Sequence, residues 1–293
     1  MKGRLEDEKF EGKTPIMEIK TKLELNGDGS VVKGAYRIPA SEYHAVKSLS
    51  YTGLKEARKS PQHYQAYLRA DYAETSSQRL GTLAHLCTLE PEKAESTILR
   101  ISGNRNLKAN REICERAEAE GKITANDKEW DQAWGIAKAV NNHPIAGRWL
   151  KESLKEISFF TTWPQLNLPV KARVDAWHVE KNVLLDLKTY SDLTEETIMR
   201  QIRAMRYHWQ SAKYSRVLAD VSGRPAGPFI HVFVEVDDPF GVRVVTLNDA
   251  SLEKAEEEFY WILGQLASCQ ETGIWPGYPV DCVDLSLPDG SWS

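Results

Sequence analysis

Alternation of hydrophobic and polar residues predicts β-strands in the second half of the chain. Residues 155–163 are β-branched and aromatic, and segments 170–179 and 183–189 follow after short polar turns. Because short connections join neighbouring antiparallel strands, we expect a three-stranded meander. Segments 229–236 and 241–247 repeat the pattern and predict a further strand pair.

Helical periodicity predicts helices around these strands. A serine–proline pair opens a helix over about 61–70, and a second capped helix covers about 76–87. Residues 108–150 form a polar, helical interval in this interpretation. An aspartate followed three residues later by a glutamate, the pattern of a capping box, opens a long helix over 192–220. The last helix spans about 250–270 and precedes a tail rich in proline and glycine.

Size and composition indicate a soluble protein. The 293 residues, 41% of them hydrophobic, are enough for one large core or two modest ones. No apolar run approaches the roughly 20 residues that a membrane span requires, and the N-terminus is charged where a secretion signal would be apolar. We therefore expect a cytoplasmic protein with no membrane partner.

The spacing of the cysteines and the lack of a nucleotide-binding motif limit the cofactors that the sequence predicts. Cys87, Cys114, Cys269 and Cys282 are far apart, which predicts neither a zinc site nor an iron–sulfur cluster. The sequence has no G-x-x-x-x-G-K-[ST] motif, so we expect no nucleotide cofactor. The net charge of -4 argues against a uniformly basic surface but allows a local basic patch for nucleic acid.

Two carboxylates and a lysine interrupt the predicted hairpin. If its turn centres on residues 180–182, Asp175 lies opposite Asp186, and the two-residue period places Lys188 on the same face. Carboxylates this close repel each other unless a cation lies between them. A hard divalent ion suits them, with the Leu187 carbonyl as a further ligand. Lys188 could then orient or deprotonate the attacking water and offset the charge that develops in phosphodiester hydrolysis.

Each of these residues also has a simpler interpretation. An isolated D-x-K pattern is usually a solvated, salt-bridged hairpin surface. His85 could be a hydrogen-bonded core histidine, although Gly81, on the same helix face, would allow a ligand to approach closely. Glu156, at the start of the first predicted strand, could contact the metal site or lie on the surface.

The order of the motifs is similar to that of a known family. A segment over 38–61 (IPASEYH, SYTGLK, SP), a GTLAH helix at 81–85, the hairpin, and a QSAKY helix at 210–214 follow one another. In this respect the chain resembles the PD-(D/E)XK nuclease superfamily, in particular its RecB-like branch. More narrowly, it resembles the nuclease domain of the exonuclease VIII (RecE-type) family of phages and prophages, over about residues 36–265.

The resemblance implies an α/β fold with a restriction-endonuclease-like core. Such a core has a central mixed β-sheet flanked by helices, here with an additional helical N-terminal region. We expect one nuclease domain over 36–270, a flexible arm or hairpin over 1–35, and a tail over 271–293.

The resemblance also implies an activity. Members of this family are 5′-to-3′ exonucleases that act at ends of double-stranded DNA and leave 3′ single strands for a partner annealing protein. The same likeness implies a homo-oligomeric ring and a Mg²⁺ cofactor, with Mn²⁺ as an alternative. His85 would be the third metal ligand beside Asp175 and Asp186, and Lys188 the catalytic lysine.

Substrate contacts are predicted mainly on the long helix. A polar stripe recurs there at 4-3-4 spacing, one step around the helix from the apolar stripe: Arg203, Tyr207, Gln210 and Tyr214. We expect these side chains and Thr82 to bind substrate. A solvated basic face is an equal alternative for the charged part of this helix.

Two other functions stay open on the sequence. An endonuclease would use the same core, and a DNA-end-binding scaffold with an inactive site would share the motifs. Cleavage of closed circular DNA identifies the first, and a linear duplex that stays intact when magnesium is added identifies the second. A metal-independent regulator is a further possibility, and it predicts no effect of divalent ions on thermal stability.

Overall fold

The computed structural model describes residues 17–70, 76–105, 107–163 and 166–284. Residues 1–16 of the predicted arm and 285–293 of the predicted tail lie outside these ranges.

The described strands form one large sheet and one small one. The strands are β1 (Ile19–Lys20), β2 (Gly34–Tyr36), β3 (Ile98–Ile101), β4 (Ile123–Asn126), β5 (Leu154–Trp163), β6 (Leu168–His178), β7 (Val183–Tyr190), β8 (Phe229–Glu235) and β9 (Val242–Val245). The large sheet has the order β1-β2-β5-β6-β7-β8-β9, while β3 and β4 pair separately in parallel.

Helices precede, separate and follow these strands. They are α1 (Ala40–Ala45), α2 (Tyr51–Lys59), α3 (Pro61–Arg69), α4 (Ser76–Leu89), α5 (Pro91–Thr97), α6 (Lys108–Ala119), α7 (Asp127–Asn142), α8 (Ala146–Lys151), α9 (Glu195–Met205), α10 (Tyr207–Ser222) and α11 (Asp249–Thr272).

Helices cover both faces of the large sheet. On one face α2, α3, α10 and α11 bury residues such as Leu54, Trp209 and Phe259 against β5 and β6. On the other face α4, α7 and α8 pack residues such as Ile136 against Leu185 and its neighbours. The result is three layers, helix, sheet and helix, with apolar side chains packed between them. This confirms the predicted fold, a mixed sheet flanked by helices.

The predicted meander is confirmed in β5, β6 and β7, which pair antiparallel in sequence order. The chain then crosses over through α9 and α10 and returns as β8, parallel to β7, with Asp186 beside His231. Because β9 pairs antiparallel with β8, the sheet is mixed. The crossover places α10 directly over the strands that carry the two aspartates.

The interval 108–150 is not helical throughout, contrary to the prediction. Helix α6 ends at Ala119, and Gly121 follows with φ of +70°, a conformation that only glycine adopts freely. The segment Ile123–Asn126 then forms β4, where β-branched residues suit a strand. A capping box between Asn126 and Glu129 restarts the helix as α7.

The long helix predicted over 192–220 is in fact two helices. Arg206 lies between α9 and α10 with φ 62° and ψ 37°, and a left-handed residue cannot continue a right-handed helix. The start differs as well, since Thr194 is the N-cap of α9. Asp192 instead accepts hydrogen bonds from the Thr194 backbone N–H and the Thr197 hydroxyl.

Both ends of the described chain pack onto the core. Within the predicted arm, β2 pairs with β5, and a turn closed by a bridge between Leu25 and Val31 separates β1 from β2. After α11, Trp275 packs against Tyr64 of α3 with ring centroids 6.3 Å apart. None of the helices in the described part of the chain has both the length and the apolar character needed to cross a membrane.

Candidate active site

The hairpin of β6 and β7 opens where the two aspartates face each other. Backbone pairing is regular as far as Ala176 and Leu185, which confirms the predicted register and makes Asp175 and Asp186 the next facing pair. There the Leu187 backbone N–H donates to the Asp175 carboxylate, at 2.6 Å, and the ladder ends. The strands therefore leave a gap lined by polar groups.

His85 reaches this gap from α4. Its Nε2 lies 3.0 Å from the Leu187 carbonyl oxygen, and its Nδ1 lies 3.5 Å from the Asp175 carboxylate. The Leu187 side chain is buried in the core, so only its backbone groups face the gap. The structure thus brings together three of the four groups predicted to hold a metal.

Asp186, the fourth, is held by α10 and by its own strand. Its Oδ1 accepts a hydrogen bond of 2.6 Å from Gln210 Nε2, and its Oδ2 lies 2.5 Å from Lys188 Nζ. The carboxylate is buried, and the Lys188 side chain is only 17% exposed. Gln210 and Lys188 therefore fix the orientation of Asp186.

Glu156 completes the tightest group of candidate ligands. One ligand atom each from Glu156, His85 and Asp175 lie within 4.8 Å of one another, a group that does not include Asp186. Glu156 has a φ of +56° within β5, where it interrupts pairing opposite Asp175. Such a conformation is costly for a residue other than glycine. Arg173 Nε donates to the Glu156 carboxylate at 2.9 Å, so the structure places Glu156 at the site.

The pKa values of the two aspartates are shifted in opposite directions. Burial raises the pKa of Asp175, but His85, the charge of Lys188 and the Leu187 N–H together lower it by more, so the net pKa lies below the usual range. Burial raises the pKa of Asp186; Lys188 offsets part of this rise, and the charge of Asp175 adds to it. Burial lowers the pKa of His85, but the Asp175 carboxylate reverses this and raises it to about 9. The environment therefore favours the charged form of Asp175 and disfavours that of Asp186.

Aromatic residues of α2 and α10 close one side of the site. Lys188 Nζ lies 4.7 Å from the ring centroid of Tyr207. Tyr214 is buried, and its ring meets that of Tyr51 edge to face at 6.5 Å. Burial, and after it the charge of Asp186, raises the pKa of Tyr214. Tyr207, Gln210 and Tyr214 are thus placed beside the acidic residues.

Arg203 lies apart from this group, whereas Thr82 lies on the helix that carries His85. Arg203 is exposed on α9, beyond the break at Arg206, and does not continue the stripe of α10. Thr82 is half-buried on α4, three residues before His85. A Cβ atom at Gly81 would meet Thr189 Oγ1 at 3.9 Å and no closer described atom, so packing does not require glycine there.

Sequence reasoning did not identify His231, which lies on β8 beside Asp186. The ring is fully buried, shares a hydrogen bond of 2.8 Å with Ser211 Oγ, and leaves Nδ1 without a described partner. Burial lowers its pKa to about 3, so the ring is neutral at pH 7. A histidine inside an otherwise hydrophobic strand pattern was the available signal. Arg173 and Tyr51 carried no comparable signal.

The residues of the gap fit a divalent cation. Two carboxylates, an imidazole and a backbone carbonyl are a suitable donor set for a hard ion. Gln210 Oε1 is buried and accepts no hydrogen bond from the described residues, and the one described group beside the buried Asp186 Oδ2 is the Lys188 ammonium, without hydrogen-bond geometry. Since buried polar atoms are nearly always satisfied, these oxygens indicate a partner that the polypeptide does not supply.

Sequence comparison identifies a family of the same fold type. The sequence model of the family described as PDDEXK-like domain of unknown function (DUF3799) matches residues 50–286. No curated protein matches the chain significantly.

Solved structures share the fold at low sequence identity. The "Putative exonuclease" of Eubacterium rectale superimposes with a TM-score of 0.60 and 13% identity, over 86% of this chain and 96% of that one. A phage-related exonuclease from Haemophilus somnus 129PT matches over 80% of this chain and 100% of its own, with a TM-score of 0.35 and 8% identity. The first of these likenesses supports the architecture described above.

Proposed function

The chain belongs to the family described as PDDEXK-like domain of unknown function, and on this premise we propose that it is a metal-dependent nuclease that hydrolyses phosphodiester bonds of DNA. The observation that carries the proposal is the convergence of Asp175, Asp186 and the Leu187 carbonyl with His85, beside the ammonium of Lys188. Each of these groups has a role in phosphodiester hydrolysis.

His85, Asp175, Asp186 and the Leu187 carbonyl would hold a divalent cation, for which we propose Mg²⁺ with Mn²⁺ as an alternative. When bound, such an ion would offset the charge of the scissile phosphate and lower the pKa of a water molecule. Glu156 is the residue best placed to add a further carboxylate to this set.

Lys188 would act on the attacking water and the phosphate, and Gln210 would orient Asp186. The Lys188 ammonium, held between Asp186 and the Tyr207 ring, would orient the attacking water and offset the charge that develops on the phosphoryl oxygens. Gln210 keeps Asp186 in position through its 2.6 Å hydrogen bond. Tyr207 and Tyr214 would line the path of the DNA strand.

We further propose that hydrolysis proceeds from the ends of linear double-stranded DNA, 5′-to-3′, and leaves 3′ overhangs for recombination. Support comes from the resemblance to RecE-type nucleases and from the name of the Eubacterium rectale neighbour. A homo-oligomeric ring, a single-strand annealing protein as partner and a cytoplasmic location belong to the same proposal.

An assay on end-labelled DNA tests this function. With Mg²⁺, the protein is expected to degrade a linear duplex, to release a 5′ label before a 3′ label, and to spare a closed circle. With a chelator, degradation should stop. Cutting of the closed circle would favour the endonuclease alternative, and binding of ends without any loss of DNA would favour the inactive scaffold.

Asp186→Asn is the matched inactive variant. It keeps the size of the side chain and an acceptor for Gln210 but removes the charge, so activity is expected to fall by at least about 100-fold. Folding should be retained because the substitution also removes the repulsion from Asp175. Unchanged activity in this variant would refute the assignment of the site.

A further inference from the structure

Lys55 lies beside the candidate site on α2, one turn after Tyr51. The Lys55 Nζ lies 4.7 Å from the centroid of the Tyr51 ring, and its side chain is partly buried. Tyr51 is fixed in turn, because its hydroxyl donates to the Met205 carbonyl and its ring meets that of Tyr214. The ammonium of Lys55 is therefore held on a rigid aromatic support at the α10 side of the site.

Other basic side chains around the site each have an oxygen partner. Lys188 pairs with Asp186, Arg173 pairs with Glu156, and Lys213 donates to a backbone carbonyl. Lys55 differs: within the described ranges its ammonium has neither a carboxylate nor a carbonyl acceptor and lies against the Tyr51 ring.

An unpaired ammonium in this position is electrostatically unfavourable in the free protein. Partial burial, followed by the positive charge of Lys188, lowers the pKa of Lys55. A group that loses hydration without gaining an acceptor is destabilised, and an anion placed beside it would relieve that cost. A phosphate of the DNA backbone is such an anion, and the proximity of Lys188 puts it near the bond to be cleaved.

We propose that Lys55 binds an internal backbone phosphate of the DNA strand, next to the phosphodiester that faces Lys188. This inference rests on the proposed nuclease function, of which it specifies one substrate contact. A phosphate contact of this kind contributes affinity and register without reading the base sequence.

The test measures DNA binding separately from cleavage. Binding of a fluorescent linear duplex is followed by anisotropy, with Ca²⁺ in place of Mg²⁺ to suppress hydrolysis, over a series of salt concentrations. The proteins are wild type, Lys55→Gln, Lys55→Arg and a control, Lys59→Gln. Lys59 lies one turn further along α2, where it pairs with Glu56.

Loss of one phosphate contact has a defined signature. For Lys55→Gln, the slope of log affinity against log salt should become shallower by about 0.7–0.9, with affinity reduced by roughly tenfold at low salt. Lys55→Arg should retain most of the slope, and Lys59→Gln should match wild type. Thermal unfolding of Lys55→Gln should occur no lower than in wild type, since the substitution removes an unpaired charge.

A second measurement locates the phosphate. A single neutral methylphosphonate moved along the duplex should weaken wild-type binding at one internal position, and Lys55→Gln should be insensitive at that position. Equal salt slopes for Lys55→Gln and Lys59→Gln, or unchanged sensitivity to the methylphosphonate, would overturn the inference. Absence of cleavage by the wild type in Mg²⁺ would instead contradict the proposed function, while the binding result would still decide the role of Lys55.

Discussion

At the scale of single residues, the candidate site consists of acidic and basic side chains that shift one another's pKa. His85 is positioned to carry a proton when no cation is bound, because the Asp175 carboxylate raises its pKa to about 9 despite burial. Metal binding would need one of its nitrogens free, so the proton and the cation compete for the same group. Chelated protein and loaded protein should therefore respond differently to pH.

The pH dependence of the chelated protein tests the His85–Asp175 contact. A histidine whose folded pKa is raised from 6.5 to about 9 stabilises fully below pH 6.5, and this contribution is lost as pH rises through 9. In EDTA, the free energy of unfolding from urea titrations should fall by about 1–2 kcal/mol between pH 6.5 and 9.

The control for this prediction is His85→Gln. It keeps a polar side chain of similar size but cannot titrate, so the decline between pH 6.5 and 9 should largely disappear. An equal decline in both proteins would show that other groups are responsible.

Sequence could predict the residues of the site that follow a regular period. Asp175 and Asp186 face each other because the turn fixes the register, and that register is present. The position of Glu156 could not be predicted, because its left-handed backbone breaks the strand period on which such reasoning depends. Lys55 could not be placed either, since its proximity to Lys188 arises only when α2 packs against α10.

At the scale of secondary structure elements, the break at Arg206 determines which side chains of the crossover reach the site. Helix α10 begins immediately after it and directs Gln210 at Asp186. Glu258 of α11 supports the junction by accepting a hydrogen bond of 2.7 Å from Trp209 Nε1. Periodicity predicted one helix because no proline or glycine marks the break. The contacts that support it, from Tyr51 to the Met205 carbonyl and from Trp209 to Glu258, are tertiary.

The close approach of Gly147 to Asn141, at the corner between α7 and α8, can be tested by substitution. A Cβ atom at Gly147 would lie 2.1 Å from the Asn141 carbonyl oxygen, so the backbone itself would have to move. Gly147→Ala should destabilise the protein by about 2–4 kcal/mol, as measured by urea unfolding.

Gly264 supplies the matched control. It is exposed in the interior of α11, and a Cβ atom there would meet no described atom within 4 Å. Gly264→Ala should stabilise by about 0.5–1 kcal/mol, because alanine is the better helix former. If both substitutions had the same sign, close approach at the corner would not be the reason for Gly147.

At the scale of the whole molecule, the fold brings segments that are distant in sequence to one gap in the sheet. The candidate metal ligands come from α4, β5, β6 and β7, and the residues that support them come from α2 and α10. The alternation of strands and helices was sufficient to predict the mixed sheet and its flanking helices. It could not predict the small sheet of β3 and β4, whose two short strands pair across α6.

A cation that binds only the folded protein must raise its stability, since the ligands are separated in the unfolded chain. Adding Mn²⁺ at about 100 times its dissociation constant should increase the free energy of unfolding by about 2.7 kcal/mol. Thermal unfolding with and without the ion measures this increase. Asp186→Asn should show a clearly smaller effect, and an equal effect in both proteins would place the ion elsewhere.

Leu187 makes its contribution with atoms that every amino acid possesses. Its N–H holds Asp175 and its carbonyl faces His85, while the side chain lies in the core. Replacement by isoleucine or valine would leave those main-chain atoms in place. Side-chain substitutions at this position therefore do not test the role of its N–H and carbonyl groups. Only an edit of the backbone itself, such as an ester in place of the amide, would expose what this residue does.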